Sequence, residues 1–122
     1  MRQEIEGGIQ ATLFEWAMLM ESRWPELKLL FHVPNGGARG KAEAGRLKAQ
    51  GVKAGVPDLM LPVAKGGYHG LFIELKAGKG TLSAAQKEWL TELQLQGYAA
   101  KCCRGLDEAI RTITRYMTGK TI

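Results

Sequence analysis

The stretch Gly55-Val56-Pro57-Asp58-Leu59-Met60-Leu61, together with Ile73-Glu74-Leu75-Lys76, decides the fold of this 122-residue chain. Each contains a short apolar run that indicates a strand, together with charged side chains that need a partner or a metal if they are buried. Because alternate side chains share one face of a strand, Glu74 and Lys76 point the same way. Pairing of the two strands as a hairpin would bring Asp58 beside Glu74.

The segments around these strands predict a mixed α/β sheet with helices packed against it, in a single domain over residues 1–122. A hydrophobic content of 45% is enough for a packed core. The predicted elements, in the order α-β-α-β-β-α-β-α, are a helix from about Glu4 to Arg23, a strand from Leu29 to Val33, a helix from Gly40 to Gln50, strands from Asp58 to Val63 and from Gly70 to Lys76, a helix from Ser83 to about Gln96, a strand from Tyr98 to Cys103 and a helix after Gly105.

Composition excludes several classes of protein. No apolar run approaches the roughly 20 residues of a membrane span, and the opening MRQEIEGGIQ is too polar for a signal peptide. The only cysteines, Cys102 and Cys103, are adjacent, so neither a disulfide framework nor a zinc site with CxxC spacing is expected. We therefore expect a reduced, cytoplasmic protein without a membrane partner.

The positive charge of the chain is concentrated in one segment. The stretch from Lys28 to Lys53 holds six basic residues and one acid, Glu43, and so carries the whole net charge of +5. A basic stretch in a small domain indicates a polyanionic partner, nucleic acid first. The alternative is a basic helix that is only a solvated face.

The predicted pairing of Asp58 with Glu74 has a chemical consequence. Two carboxylates at close range repel each other unless a cation lies between them, and a hard divalent ion such as Mg²⁺ suits carboxylates, a backbone carbonyl and waters. Lys76 would then polarise an attacking water or stabilise charge on a phosphorus centre. The alternative is a structural ion pair between Glu74 and Lys76, with Asp58 as a turn residue.

This combination resembles the PD-(D/E)xK nuclease superfamily, through Pro57-Asp58 and Glu74-Leu75-Lys76. It resembles in particular the VRR-NUC family, in the compact stand-alone form of phages and bacteria. The strings that carry this closer resemblance are Asn35-Gly36-Gly37, Gly51 to Asp58 (GVKAGVPD), Ser83-Ala84-Ala85-Gln86 and Cys103-Arg104-Gly105. The chain departs from the family at Lys101-Cys102-Cys103-Arg104, where Val-Arg-Arg or a relative is expected, so no catalytic role is assigned there.

The resemblance implies a restriction-endonuclease-like fold and a metal-dependent nuclease, using Mg²⁺ or Mn²⁺, that cleaves branched or four-way (Holliday) junction DNA as a homodimer. Carried over by position, Asp58 and Glu74 are metal ligands, the backbone carbonyl of Leu75 is a third, and Lys76 is the catalytic lysine. The source it suggests is a bacterium or a phage-infected cell.

Such sites usually add a glutamate from the first helix. On a helical wheel Glu6 falls inside the apolar arc formed by Ile9, Leu13, Trp16, Ala17 and Met20, whereas Glu15 faces water. We therefore assign Glu6 as a catalytic residue and metal ligand; the alternative is a solvated acid in the first turn of the helix.

Gln86 has two readings. Ser83-x-x-Gln86 is a capping box, in which Gln86 would bond back to the Ser83 amide. The family resemblance instead directs Gln86 toward the site of Glu74 and Lys76, as a catalytic residue. Both readings stay open at the level of sequence.

The glycine-rich residues 35–41 do not form a nucleotide-binding loop. The glycine spacing of a P-loop is absent, and Ala42 stands where a Ser or Thr would hold Mg²⁺, so no nucleotide cofactor is expected. The favoured reading is a loop that approaches a DNA phosphate, with a plain connection as the alternative. The predicted DNA-binding residues are Asn35, Arg39, Lys41, Arg46, Lys48 and Lys53.

Two other functions compete with an Mg²⁺-dependent endodeoxyribonuclease. A DNA-binding module without catalysis would use the basic segment alone and would show no divalent-metal requirement. A small toxin-like ribonuclease would cleave RNA in place of DNA.

We predict that neutralising Lys48 and Lys53 together weakens DNA binding by removing two phosphate contacts. The slope of log K against log salt concentration should become shallower by about 2. Binding measured by fluorescence anisotropy from 50 to 300 mM salt tests this, and an unchanged slope would place the DNA path elsewhere.

Overall fold

The computed structural model describes residues 2–34 and 40–122, with side chains from Ile5 onward. It contains four α-helices, one 3₁₀ helix and four strands within these ranges. They are α1 (Arg2–Met20), the 3₁₀ helix (Pro25–Leu29), β1 (Phe31–His32), α2 (Lys41–Ala49), β2 (Leu59–Leu61), β3 (Leu71–Lys76), α3 (Ala84–Leu95), β4 (Ala99–Arg104) and α4 (Leu106–Met117). The predicted order of helices and strands is confirmed.

The four strands form one mixed sheet in the order β1-β2-β3-β4. Strand β2 is antiparallel to both β1 and β3, whereas β3 and β4 are parallel. A parallel pair needs a long crossover, which α3 supplies. Leu59 pairs with Ile73, so the next position along β2, Asp58, lies opposite Glu74 as the hairpin prediction requires.

The hydrophobic core lies on one face of the sheet. Leu71, Ile73 and Leu75 of β3 are almost completely buried there, against α1 and α4. On α1 the predicted apolar arc is confirmed in its centre, where Leu13 and Ala17 are buried, and at its sides, where Trp16 and Met20 pack partly against the core. The other face is covered by α3 on the side of β4.

The structure shortens two predicted strands. The predicted strand from Leu29 to Val33 is wrong in its first half, because the 3₁₀ helix extends to Leu29 and the Leu30 amide bonds to the Leu27 carbonyl. Pro25 favours this helical start because its φ is fixed. Strand β2 ends at Leu61 rather than at Val63, since Pro62 has no N–H to continue a ladder.

The first helix is also shorter than predicted at its C-terminal end. It stops at Met20 rather than near Arg23, and the amides of Arg23 and Trp24 both bond to the Met20 carbonyl in the turn that follows. None of the described helices is long and apolar enough to cross a membrane.

The loop before β2 is held against the start of α3. Gly55 has φ +91°, and a Cβ there would come within 2.6 Å of the Ala85 carbonyl carbon, so only glycine fits this approach. The Trp89 indole donates a hydrogen bond to the Ala54 carbonyl at 3.1 Å. These contacts determine where the chain enters β2, and therefore where Asp58 lies.

Candidate active site

Two carboxyl groups meet where β2 begins beside β3. Asp58 Oδ2 accepts a hydrogen bond of 2.8 Å from the Leu75 amide, and the Asp58 carboxyl group is close enough to that of Glu74 to raise its pKa. Glu74 is only 3% exposed. The two side chains that the sequence predicted to be neighbours are therefore in contact.

This pairing changes the acidity of Glu74. Its pKa rises from 4.5 to about 9, chiefly because burial penalises the charged form, and further because Asp58 adds a hydrogen bond and a like charge; Lys76 opposes the rise. Without a cation, Glu74 therefore carries a proton at neutral pH. A divalent cation between the carboxyl groups would replace that proton.

Glu6 reaches the same edge of the sheet from α1. Its Oε2 accepts a hydrogen bond of 3.1 Å from the Ala77 amide, one residue beyond β3, and its charge contributes to the raised pKa of Glu74. Glu15 is exposed to solvent. The helical wheel thus identified the glutamate of α1 that approaches the site, while its role as a metal ligand stays a prediction.

Gln86 forms the predicted capping box and also contacts Glu74, while its role in catalysis stays a prediction. Its side-chain oxygen accepts from the Ser83 amide at 2.8 Å and Ser83 Oγ accepts from the Gln86 amide at 3.1 Å, which completes the capping box. Its Nε2 donates to Glu74 Oε2 at 3.3 Å. The first turn of α3 is therefore tied directly to the carboxyl pair.

Strand β4 brings Cys102 and Arg104 to the site, two side chains to which the sequence analysis assigned no role. Cys102 pairs with Glu74 and Arg104 with Lys76 in the parallel register, so each lies on the same face as its neighbour. Arg104 donates to the carbonyls of Gly78 and Gly80, which ties β4 to the loop after β3. The register of a parallel pair across a helical crossover is not encoded in any short motif, so no local signal could have found these neighbours.

The donor set at this edge suits a hard divalent cation. Asp58, Glu74 and the Leu75 backbone carbonyl supply oxygen donors, which Mg²⁺ prefers, and Mg²⁺ usually keeps several waters and takes one or two carboxylates. No group of three or more His, Cys, Asp or Glu side chains that could hold a metal ion occurs among residues 5–34 and 40–122. The arrangement is thus a two-carboxylate site, with Glu6 bound to a neighbouring amide.

The predicted DNA-binding residues lie apart from the carboxyl pair in the sequence, on and after α2. No residue of α2 is buried, and Lys41, Arg46, Lys48 and Lys53 are all exposed. Lys53 lines a cleft of about 290 Å³ with Glu88, Trp89 and Glu92. Asn35 and Arg39 lie outside the described residues.

The chain is similar to known proteins over most of its length. The family model of the VRR-NUC domain matches residues 8–107, a range that includes every site residue discussed here except Glu6. A solved structure described as a "VRR_NUC domain protein" is 34% identical, with a TM-score of 0.81, over 94% of this chain and 89% of that one. None of the curated proteins matches the chain.

The raised pKa of Glu74 predicts how stability depends on pH in metal-free buffer. Below pH 4.5 the carboxyl is protonated in both the folded and the unfolded chain; from there to about pH 9 only the unfolded chain ionises, which favours unfolding. Glu74→Gln, always neutral, should remove this loss, so its stability relative to the wild type should increase steadily from pH 4 to pH 8.

Urea denaturation at pH 4, 6 and 8 with EDTA tests this prediction. Glu15→Gln, at an exposed position on α1, is the control and should follow the wild-type pH profile. Parallel profiles for Glu74→Gln and the wild type would contradict the burial and pairing of Glu74.

Proposed function

Since the chain belongs to the VRR-NUC domain family of nucleases, we propose that it is a divalent-metal-dependent endonuclease that hydrolyses phosphodiester bonds of branched DNA. The observation that carries the proposal is the contact of Asp58 with the buried Glu74, with Lys76 two residues further along the same face. Within the described residues, this edge of the sheet brings two carboxyl groups and an ammonium group onto a face that helices cover only in part.

In the proposed mechanism, Asp58, Glu74 and the Leu75 carbonyl hold the metal, Mg²⁺ or Mn²⁺, with Glu6 beside them. The ion would supply Lewis acidity and lower the pKa of a bound water. Lys76 is half-buried at the end of β3, where its ammonium group can contact the phosphate or the attacking water. Gln86 orients the carboxyl of Glu74 through its hydrogen bond.

Binding of the substrate would depend on the basic surface of α2 and the loop after it. The exposed side chains of Lys41, Arg46, Lys48 and Lys53 can neutralise phosphates without losing any packing. The same surface supports the alternative function, a DNA-binding module without catalysis. A requirement for divalent metal in cleavage distinguishes the two.

Four-way junctions are the substrate we propose, with a homodimer as the active form. Resolving a junction needs two cuts in matching geometry, which the two-fold symmetry of a dimer supplies. On α1, Met18 and Leu19 are 70% and 76% exposed and offer an interface. Phe14 and Trp24, the other large apolar side chains that this part of the sequence offers for an interface, pack partly against the core and so add less exposed surface.

We predict that Asp58→Ala abolishes cleavage and that Lys76→Ala nearly does so, because they remove a metal ligand and the catalytic cation. Cleavage of linear, flap and four-way junction DNA, and of RNA, is measured with Mg²⁺, with Mn²⁺ and with EDTA. Glu15→Ala and Lys87→Ala, which change exposed residues of the same charges, should cleave as the wild type does. Wild-type activity in EDTA or in either site variant would overturn the proposal.

Asp58→Asn separates catalysis from binding. In EDTA it should bind DNA at least as tightly as the wild type, since losing one negative charge cannot weaken attraction to phosphates when no metal links the two, and with Mg²⁺ its cleavage should be lost. Loss of binding in this variant would show that Asp58 acts through the fold rather than the chemistry.

We predict a homodimer that dissociates when charge is placed on its interface. Light scattering at assay concentration should give twice the monomer mass for the wild type and the monomer mass for Met18→Asp/Leu19→Asp. The double variant should lose its preference for four-way junctions over linear duplex. A monomeric wild type with full junction activity would contradict the dimer and leave the nuclease proposal intact.

A further inference from the structure

An apolar row crosses the sheet next to the carboxyl pair. Phe31 pairs with Met60, and Met60 pairs with Phe72, so the three side chains share one face of the sheet. Phe31 is 44% exposed, and Met60 and Phe72 are half-buried. Three neighbouring apolar side chains from three strands therefore remain open to solvent.

This row lies on the active-site face. Asp58 is two residues from Met60 and Glu74 is two residues from Phe72, so the carboxyl pair is about 7 Å along the strands on the same face. Two residues beyond Glu74, on the side away from the apolar row, come Lys76 and its neighbour Arg104. The carboxyl pair is thus flanked by apolar side chains on one side and by cations on the other.

Neighbouring aromatic rings hold the Phe72 ring of this row in place. The Phe72 ring makes an edge-to-face contact with Tyr98, with 5.3 Å between centroids, and Tyr98 makes a similar contact with His69 at 5.7 Å. These contacts fix the plane of Phe72 while leaving part of its surface open. A fixed, partly exposed ring is a suitable stacking platform.

Resting on the proposed function, we propose that Phe31, Met60 and Phe72 bind an unpaired nucleobase next to the phosphodiester at the carboxyl pair. With the metal bound, the carboxyl pair would hold the phosphate, so the attached sugar and base would extend over a neighbouring row. The cationic row suits the next phosphate, and the apolar row suits the face of a base.

This placement selects for branched DNA. Within a duplex both faces of each base are covered by its neighbours, whereas a nucleotide at a branch point or flap has a free face that can stack on a side chain. The apolar row therefore favours substrates that have an unstacked or unpaired base at the cleavage site over intact duplex.

A second copy of the chain fits this row less well than a base does. Three side chains are far fewer than the roughly 20–30 residues that each partner contributes to a stable protein interface. A phosphodiester could also share a divalent cation with the adjacent carboxyl groups, whereas an apolar protein surface could not.

The test compares cleavage of two substrates by variants of the exposed Phe31. Phe31→Ala should lower kcat/KM on a flap with unpaired nucleotides at the branch about tenfold, as expected for loss of one stacking contact, and leave a fully paired duplex unchanged. Phe31→Trp should restore the flap activity, and Phe31→Leu should not, because it keeps apolar area without a planar ring.

Tyr68→Ala is the matched control, since Tyr68 is 38% exposed and lies in the loop at the opposite end of β2 and β3. It should leave both activities unchanged. With Mg²⁺ in the Lys76→Ala background, which keeps the metal ligands while cleavage is nearly lost, 2-aminopurine placed as the unpaired base should lose fluorescence on binding. The loss should persist when Phe31→Trp is added and become smaller when Phe31→Ala is added.

The outcomes separate the two proposals. A wild type that cleaves no DNA with any divalent metal overturns the proposed function and this inference with it. A wild type that cleaves DNA, together with an unchanged flap-to-duplex ratio in Phe31→Ala, overturns the inference alone. A changed oligomeric mass in Phe31→Ala, measured by light scattering, would also overturn it, because a second copy would then cover the row.

Discussion

The beginning of β2 at Leu59 is the constraint on which the site depends. Because the strand starts there, the amides at Leu75 and Ala77 extend past it and bond to side-chain carboxylates, Asp58 for the first and Glu6 for the second. Each carboxylate thereby takes the place of a strand carbonyl. The fold holds two acidic side chains at one edge of the sheet by the same hydrogen bonds that satisfy its backbone.

Helix α3 connects this edge to the rest of the molecule. Its N-terminal turn is packed against Gly55, its Trp89 is bonded to the Ala54 carbonyl, and its Gln86 is bonded to both Ser83 and Glu74. A change in the position of α3 would therefore move the loop before Asp58 and the partner of Glu74 together. The capping box is at once a device of helix stability and a part of the site.

Sequence patterns were sufficient for the parts of the structure that depend on local periodicity and pairing. The hairpin of β2 and β3 predicted the contact of Asp58 with Glu74, and the helical wheel of α1 selected Glu6 over Glu15. The patterns failed where a tertiary contact competes with a local preference: residues 25–29 form a 3₁₀ helix because Leu27 is buried. They also could not supply the register of β4 against β3, which places Cys102 beside Glu74, because that register is set by the packing of α3.

The two faces of the sheet differ in a way that matters for a macromolecular substrate. Helices α1 and α4 cover one face, where Leu71, Ile73 and Leu75 are buried, whereas α3 covers the other face mainly along β4. The hydrophobic core lies on the face covered by α1 and α4. Charged side chains can therefore lie close together on the opposite face, at the edge that α3 does not fully cover. Burial still reaches Glu74, since α3 lies over it, and this keeps its carboxyl protonated until a cation arrives. Because α3 covers this face of the sheet only in part, Phe31 stays exposed near the carboxyl pair. The carboxyl pair, Lys76 and Phe31 can therefore be approached from the same side of the sheet. A nucleotide, which combines a phosphate with a flat apolar base, matches that combination of groups.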